Sequence, residues 1–84
     1  YVDLLYTIAN LFQVETGILK KFGERIRTLR QERNWSQEVL AEKTGFHRTY
    51  IGMVERGERN LSLKNIEIFA NTFEITLSEL LNFD

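Results

Sequence analysis

The stretch from Ser36 to Val54, Ser-Gln-Glu-Val-Leu-Ala-Glu-Lys-Thr-Gly-Phe-His-Arg-Thr-Tyr-Ile-Gly-Met-Val, constrains the fold more than any other part of the chain. Ser36 is a good N-cap, and Glu38 places an anion in the first turn, where the helix dipole favours it. A helix is therefore predicted to begin at Ser36 or Gln37. Leu40 and Ala41 form its inner face, and Gly45 ends it as a residue that enters the left-handed region without a Cβ clash. His47 stands where the next N-cap belongs, and Ile51 and Val54 follow at helical spacing. Two short helices joined by one tight turn result. The small Ala41 lets them cross closely, and Leu40, Phe46, Ile51 and Val54 hold the angle between them.

Helices joined in this way form a helix-turn-helix, whose second helix can enter the DNA major groove. The flanking sequence is also helical in pattern. Leu4, Leu5, Ile8, Leu11 and Phe12 give an amphipathic series over residues 3–12, with no Lys or Arg on the polar face to favour a lipid surface. This helix either packs on its own domain or contributes to a dimer contact. Val14 to Gly17 is predicted to break it. A second helix is predicted over 18–33 from Ile18, Phe22, Ile26 and Leu29, with Asn34 as a left-handed terminator. Gly57 ends the second motif helix as Gly45 ends the first, and Glu58 to Leu61 form a polar loop. Ser62 caps a helix whose predicted core face is Leu63, Ile66, Phe69, Ala70 and Phe73. Thr76 with Glu79 makes a capping box for a final short helix with Leu77, Leu80 and Leu81 on its apolar side. Nothing alternates with period two, and there is no proline. An all-α fold is expected.

Eighty-four residues make one domain, and a chain of this length buries only about 60% of the surface its unfolded form exposes. Its stability is modest unless it gains surface by self-association. Without cysteine there is no disulfide framework or thiolate metal site, and His47, the only histidine, has no partners for zinc. No apolar run approaches the roughly 20 residues that span a bilayer, and the basic-then-apolar order of a signal peptide is missing. A soluble cytoplasmic protein is expected. The first residue is Tyr1, consistent with a natural N-terminus lying upstream.

The net charge of −1 conceals a segregation. Residues 1–19 carry −2 and residues 61–84 carry −3, whereas residues 20–60 hold ten Lys or Arg against six Glu, a net of +4. Positive charge thus lies in and beside the two-helix motif, where phosphate contacts would be made.

From about Phe22 to Leu81 the chain resembles the lambda-repressor-like, Xre-type helix-turn-helix family. The resemblance is carried by Phe22-Gly23-Glu24-Arg25-Ile26-Arg27-Thr28-Leu29-Arg30, by Ser36-Gln37-Glu38 with Leu40-Ala41, and by Val54-Glu55-Arg56-Gly57. Within that family, His47-Arg48-Thr49-Tyr50-Ile51, Arg59-Asn60-Leu61-Ser62-Leu63 and Asn65-Ile66 are similar to the controller proteins of restriction–modification systems. The resemblance implies a homodimer that binds double-stranded DNA at a partly palindromic operator and activates or represses its own promoter. It also implies a lambda-repressor-like DNA-binding domain of five helices, here residues 20–84. Residues 1–19 extend beyond the family's usual start as an additional N-terminal helix.

The second motif helix should present its N-terminal residues to base edges. Arg48 is the leading candidate for reading sequence, since a guanidinium can bond guanine O6 and N7 together; the alternative is a phosphate contact or a solvated side chain. Thr49 can offer a methyl to thymine and a hydroxyl to a base or phosphate. Tyr50 is assigned to DNA, with packing at the helix flank as the alternative, and the His47 imidazole can face a phosphate. Gln37 stands at a helix N-terminus, where free N–H groups meet a phosphate, and the resemblance places the equivalent glutamine against the DNA backbone. Arg59 and Asn60 can reach a phosphate or a groove edge, or stabilise their loop. Arg30 and Glu55 match family positions that commonly pair, and their role is structural. Gly52 marks either a close approach to DNA or a glycine tolerated through packing. Ile68, Leu81 and Phe83 exceed what the inward stripe of the last helices requires. They are assigned to a two-fold interface that would set two recognition helices about 34 Å apart; the alternative is scattered exposed apolar residues.

Catalysis finds little support. There is no Gly-rich phosphate loop and no cysteine nucleophile, and Ser36, Ser62 and Ser78 fall at caps or on helix faces away from the lone histidine. No enzyme activity, cofactor, metal or small-molecule substrate is expected. The competing reading is a helix-turn-helix antitoxin or protein-interaction module whose N-terminal helix binds a partner protein.

Overall fold

Every helix start after the first is set by a side chain that satisfies an otherwise unpaired N–H group. The computed structural model describes the backbone of residues 2–83 and, of the side chains, Leu4 and those of residues 17–83. Among the described residues there are five helices and no strand: α1 Val2–Glu32, α2 Gln37–Thr44, α3 Arg48–Glu55, α4 Leu63–Phe73 and α5 Leu77–Leu80. Ser36, His47, Ser62 and Thr76 are the N-caps of α2 to α5, and Thr76 with Glu79 completes the capping box.

The C-terminal ends are equally local. Asn34 takes φ 58° after α1, with Asn34 N–H donating to Gln31 O and Trp35 N–H to Arg30 O. Gly57 (φ 76°) and Glu74 (φ 58°) close α3 and α4 with the same pair of bonds, and Gly45 (φ 81°) closes α2 through one bond to Ala41 O. Glu74 is the unforeseen member, because a side chain in the left-handed region costs roughly 1–2 kcal/mol. Long-range bonds support two of these ends. Arg33 Nη2 donates to Phe73 O at the end of α4, and Arg25 donates to Glu79 O and Leu80 O at the end of α5.

The core sits where Phe22, Ile26 and Leu29 of α1 meet Leu40, Ile51, Val54, Phe69, Phe73 and Leu80. Phe69, fully buried, is its centre: Phe22 meets it edge-on at 6.2 Å, and the Phe46 ring lies tilted against it at 5.3 Å. Two glycines bring α3 against α1. A Cβ on Gly23 would strike the Val54 and Glu55 carbonyl oxygens, and one on Gly57 would lie 2.9 Å from Lys20 Cα. The helices therefore approach backbone to backbone at these points. Trp35 stacks on Phe73 at 5.9 Å, closing the core at the α1–α2 turn.

Several expectations are corrected. The break at Val14–Gly17 is absent, and the additional N-terminal helix is not separate: α1 runs through both as 31 residues. Glycine inside a helix costs about 1 kcal/mol, which weakens a helix without ending it, and no proline stands there to remove a donor. At 1.5 Å per residue α1 is about 46 Å long, and the longest dimension of the molecule is 48 Å. Of the N-terminal apolar series Leu4 is exposed, while the side chains of Leu5, Ile8, Leu11 and Phe12 lie outside those described. Leu63, predicted in the core, is 84% exposed, and Ile18, Leu77 and Leu81 are about half exposed. Periodicity gives the direction in which a side chain points, not whether another element lies there to cover it. No helix among the described residues is long and apolar enough to cross a membrane.

Candidate nucleic-acid interface

The candidate surface is built on α3, whose inner side is locked. Ile51 and Val54 are buried in the core, and the Glu55 side chain is fully buried. Glu55 gathers three side chains from two other helices. Arg30 donates to it from Nε at 2.6 Å and from Nη2 at 3.1 Å, Gln37 donates through Nε2 at 3.0 Å, and Arg27 lies at 3.4 Å. Burial opposes the Glu55 charge, and the bonds from Arg30, Gln37 and Arg27 outweigh it, holding the carboxyl below the usual carboxylate range. Arg30 also donates to Trp35 O, so the network ties α1, the turn after it, α2 and α3 together. The pair expected of Arg30 and Glu55 is present, and Arg27 and Gln37 enlarge it.

Outward from this anchor, α3 exposes Arg48 and Thr49 at its first two positions. His47 Nδ1 accepts from the Thr49 backbone N–H at 3.1 Å, so its other ring nitrogen is left facing away from the helix end. With Nδ1 accepting from the backbone, Nε2 is the ring nitrogen that can donate, a group suited to a phosphate oxygen. Tyr50 is only partly exposed. It packs on Phe46 at 4.9 Å, its hydroxyl accepts from Asn65 Nδ2, and the Arg59 guanidinium lies 5.4 Å from its ring centre. Packing at the helix flank, the alternative held open for Tyr50, is thus one of its roles, and the ring positions Arg59 beside α3. Asn60 is exposed in the same loop.

These residues fall in one region: Gln37 at the start of α2, His47 to Tyr50 at the start of α3, and Arg59 against Tyr50. Leu81 and Phe83 share an apolar groove with Ile18, Leu19 and Leu61, and Asn60, assigned to DNA from the sequence, lines that groove as well. Phe83 also packs on the core. Ile68, half-buried on α4, is not among the groove's lining residues.

The sequence model of the helix-turn-helix family HTH_3 matches residues 26–80. The chain belongs to this helix-turn-helix family. Among curated helix-turn-helix relatives, the control protein C.SmaI of Serratia marcescens is 48% identical over 59 residues, covering 70% of each chain. The crystal structure of the restriction–modification controller protein C.AhdI from Aeromonas hydrophila is 50% identical and superposes with a TM-score of 0.71, over 74% of this chain and 94% of that one. The C.Esp1396I controller tetramer, solved in complex with its natural 35 base-pair operator, superposes with a TM-score of 0.69 at 36% identity, over 76% of this chain and 88% of that one. The resemblance to controller proteins drawn from the residues therefore holds for this family member.

Two residues escaped the reading of the sequence. Arg56 and Glu58 pair through two bonds at the end of α3, Nε to Oε2 at 2.8 Å and Nη2 to Oε1 at 3.2 Å. The spacing of Arg48, Gly52 and Arg56, each four residues from the last, was the available signal for Arg56.

Proposed function

We propose that this chain is a sequence-specific DNA-binding transcriptional regulator of the restriction–modification controller type. It acts in the cytoplasm, as a homodimer on a partly palindromic operator at its own promoter. Residues 20–84 form the DNA-binding domain, residues 1–19 a helical extension of it, and Ile68, Leu81 and Phe83 contribute to the two-fold contact. The reading is carried by the exposure of Arg48 and Thr49 at the start of a helix whose opposite face is fixed by the core and by Glu55. A recognition helix needs this arrangement, because base-edge contacts demand a rigid support.

Fluorescence anisotropy tests the reading, with duplex DNA from just upstream of the chain's own gene set against a scrambled duplex at several salt concentrations. Preference for the upstream duplex, with affinity falling steeply as salt rises, is the expected result. Equal and weak binding to both duplexes would count against operator recognition there. In the same assay Arg48→Ala should cost about 1–3 kcal/mol of discrimination, concentrated at one base position and with the fold intact. Unchanged preference across a panel of single-base variants would remove Arg48 from the reading role.

Gln37 has a second amide hydrogen beyond the one given to Glu55, and the free N–H groups at the start of α2 lie beside it. Gln37→Ala should therefore weaken binding to both duplexes by a similar factor. A loss confined to one base position contradicts the phosphate assignment.

A further inference from the structure

Arg48, Gly52 and Arg56 lie in one row along α3 and its C-cap. The Arg56 guanidinium turns back over Gly52, so that a Cβ there would lie 3.1 Å from Nη1 and 3.9 Å from Gln37 Oε1. Long helical side chains lean toward the N-terminus, and glycine leaves the seat empty for this one. Gly52 is consequently buried, although it lies in the same row as the exposed Arg48. Arg56 thus shares a surface with Gln37 and Arg48, the residues assigned above to phosphate and to a base edge.

The other two nitrogens of that guanidinium are occupied by Glu58 in a two-point pair. Both side chains are about half exposed, 53% and 48%, so water and ions reach them and the pair is weak enough to exchange. The fork that fits a carboxylate also fits a phosphate. Hydrogen bonds from Arg56 hold the Glu58 carboxyl below its ordinary range, so both partners are charged at neutral pH.

We propose that Arg56 is a phosphate-contacting residue of the DNA face and that Glu58 is its intramolecular competitor, a carboxylate that occupies the guanidinium in the free protein and yields it to a DNA phosphate on binding. Glu58 then sets how tightly the protein holds any duplex and leaves sequence preference alone, because a phosphate contact carries no base information. The inference rests on the DNA-binding reading and adds a determinant of affinity to the same surface.

The test is a double-mutant cycle read by anisotropy on the upstream and scrambled duplexes. Glu58→Gln keeps the backbone N–H that donates to Met53 O, so the end of α3 is retained. It should tighten binding to both duplexes by about fivefold and leave the salt dependence close to wild type, because Arg56 meets the same phosphate in both complexes. Arg56→Gln should weaken both. In the Arg56→Gln background, Glu58→Gln should have little effect, because nothing is left to release. An equal tightening in both backgrounds would show that Glu58 merely repels DNA, and it would overturn the competitor role. Wild-type binding with Glu58→Gln unchanged overturns this inference alone, whereas no wild-type binding to either duplex at low salt removes the DNA-binding reading and this inference with it.

Discussion

Glu55→Ala is expected to lower the unfolding free energy by about 3–5 kcal/mol, the usual cost of removing one partner from a buried ion pair. The loss follows from what is left behind. Arg30, whose side chain is only 12% exposed, would keep its charge without a carboxylate, and the Gln37 amide would lose its acceptor. A chain of 84 residues is stabilised by roughly 4–13 kcal/mol in all, so one substitution consumes a large share. Urea denaturation followed by circular dichroism checks it, and a midpoint within error of wild type would mean that the network adds nothing to the fold.

The same substitution predicts a pH dependence. The Glu55 carboxyl is held below its ordinary value of 4.5 in the folded protein. Its contribution is therefore fully present above the unfolded value and is lost as pH falls through the folded one. The difference in stability between wild type and Glu55→Ala should be constant near neutral pH and shrink once pH drops below about 4.5. A difference that widened in acid would reverse the sign assigned to the Arg30 and Gln37 contacts. Glu58 and Glu79, also held low, are unchanged in the variant and drop out of the comparison.

Gly23→Ala is expected to destabilise by about 2–3 kcal/mol, at the upper end of ordinary overpacking. On helix propensity alone the change would stabilise by about 1 kcal/mol, so the two arguments predict opposite signs. The structure decides between them. The new methyl would meet the Val54 and Glu55 carbonyl oxygens, the latter at 2.6 Å, and these are backbone atoms that cannot swing aside as a side-chain end can. Relief requires α3 to move off α1, which carries Glu55 away from Arg30. Thermal or urea unfolding gives the answer directly, and a stabilised variant would show that the close approach of the two helices is not real in solution.

The local instructions of this chain were legible because they act within a few residues. Ser36, Ser62 and Thr76 cap helices wherever an N–H lies three residues ahead, and Asn34, Gly45 and Gly57 accept a positive φ whatever surrounds them. The core positions of α1, Phe22, Ile26 and Leu29, follow from a 3.6-residue period that no distant contact has to supply. Within the candidate site the same holds for the positions of Arg48 and Thr49, since capping at His47 fixes which residues open α3.

What only the tertiary structure decided depends on partners brought from far along the chain. Periodicity pointed Leu63 inward, and among the described residues no element covers it; Glu74 was given no turn role, and it takes the left-handed conformation that ends α4. Gly23 carried no local signal, since its function is to let a helix 30 residues later touch α1. Tyr50 and Gln37 could be assigned to DNA from sequence, but their bonds to Asn65 and Glu55 exist only once α2, α3 and α4 have packed. The seat of Arg56 over Gly52 belongs to the same class. A sequence specifies caps, turns and faces by short-range sterics and hydrogen bonding, whereas a surface that binds is assembled from several segments, and its geometry is fixed only when the core between them closes.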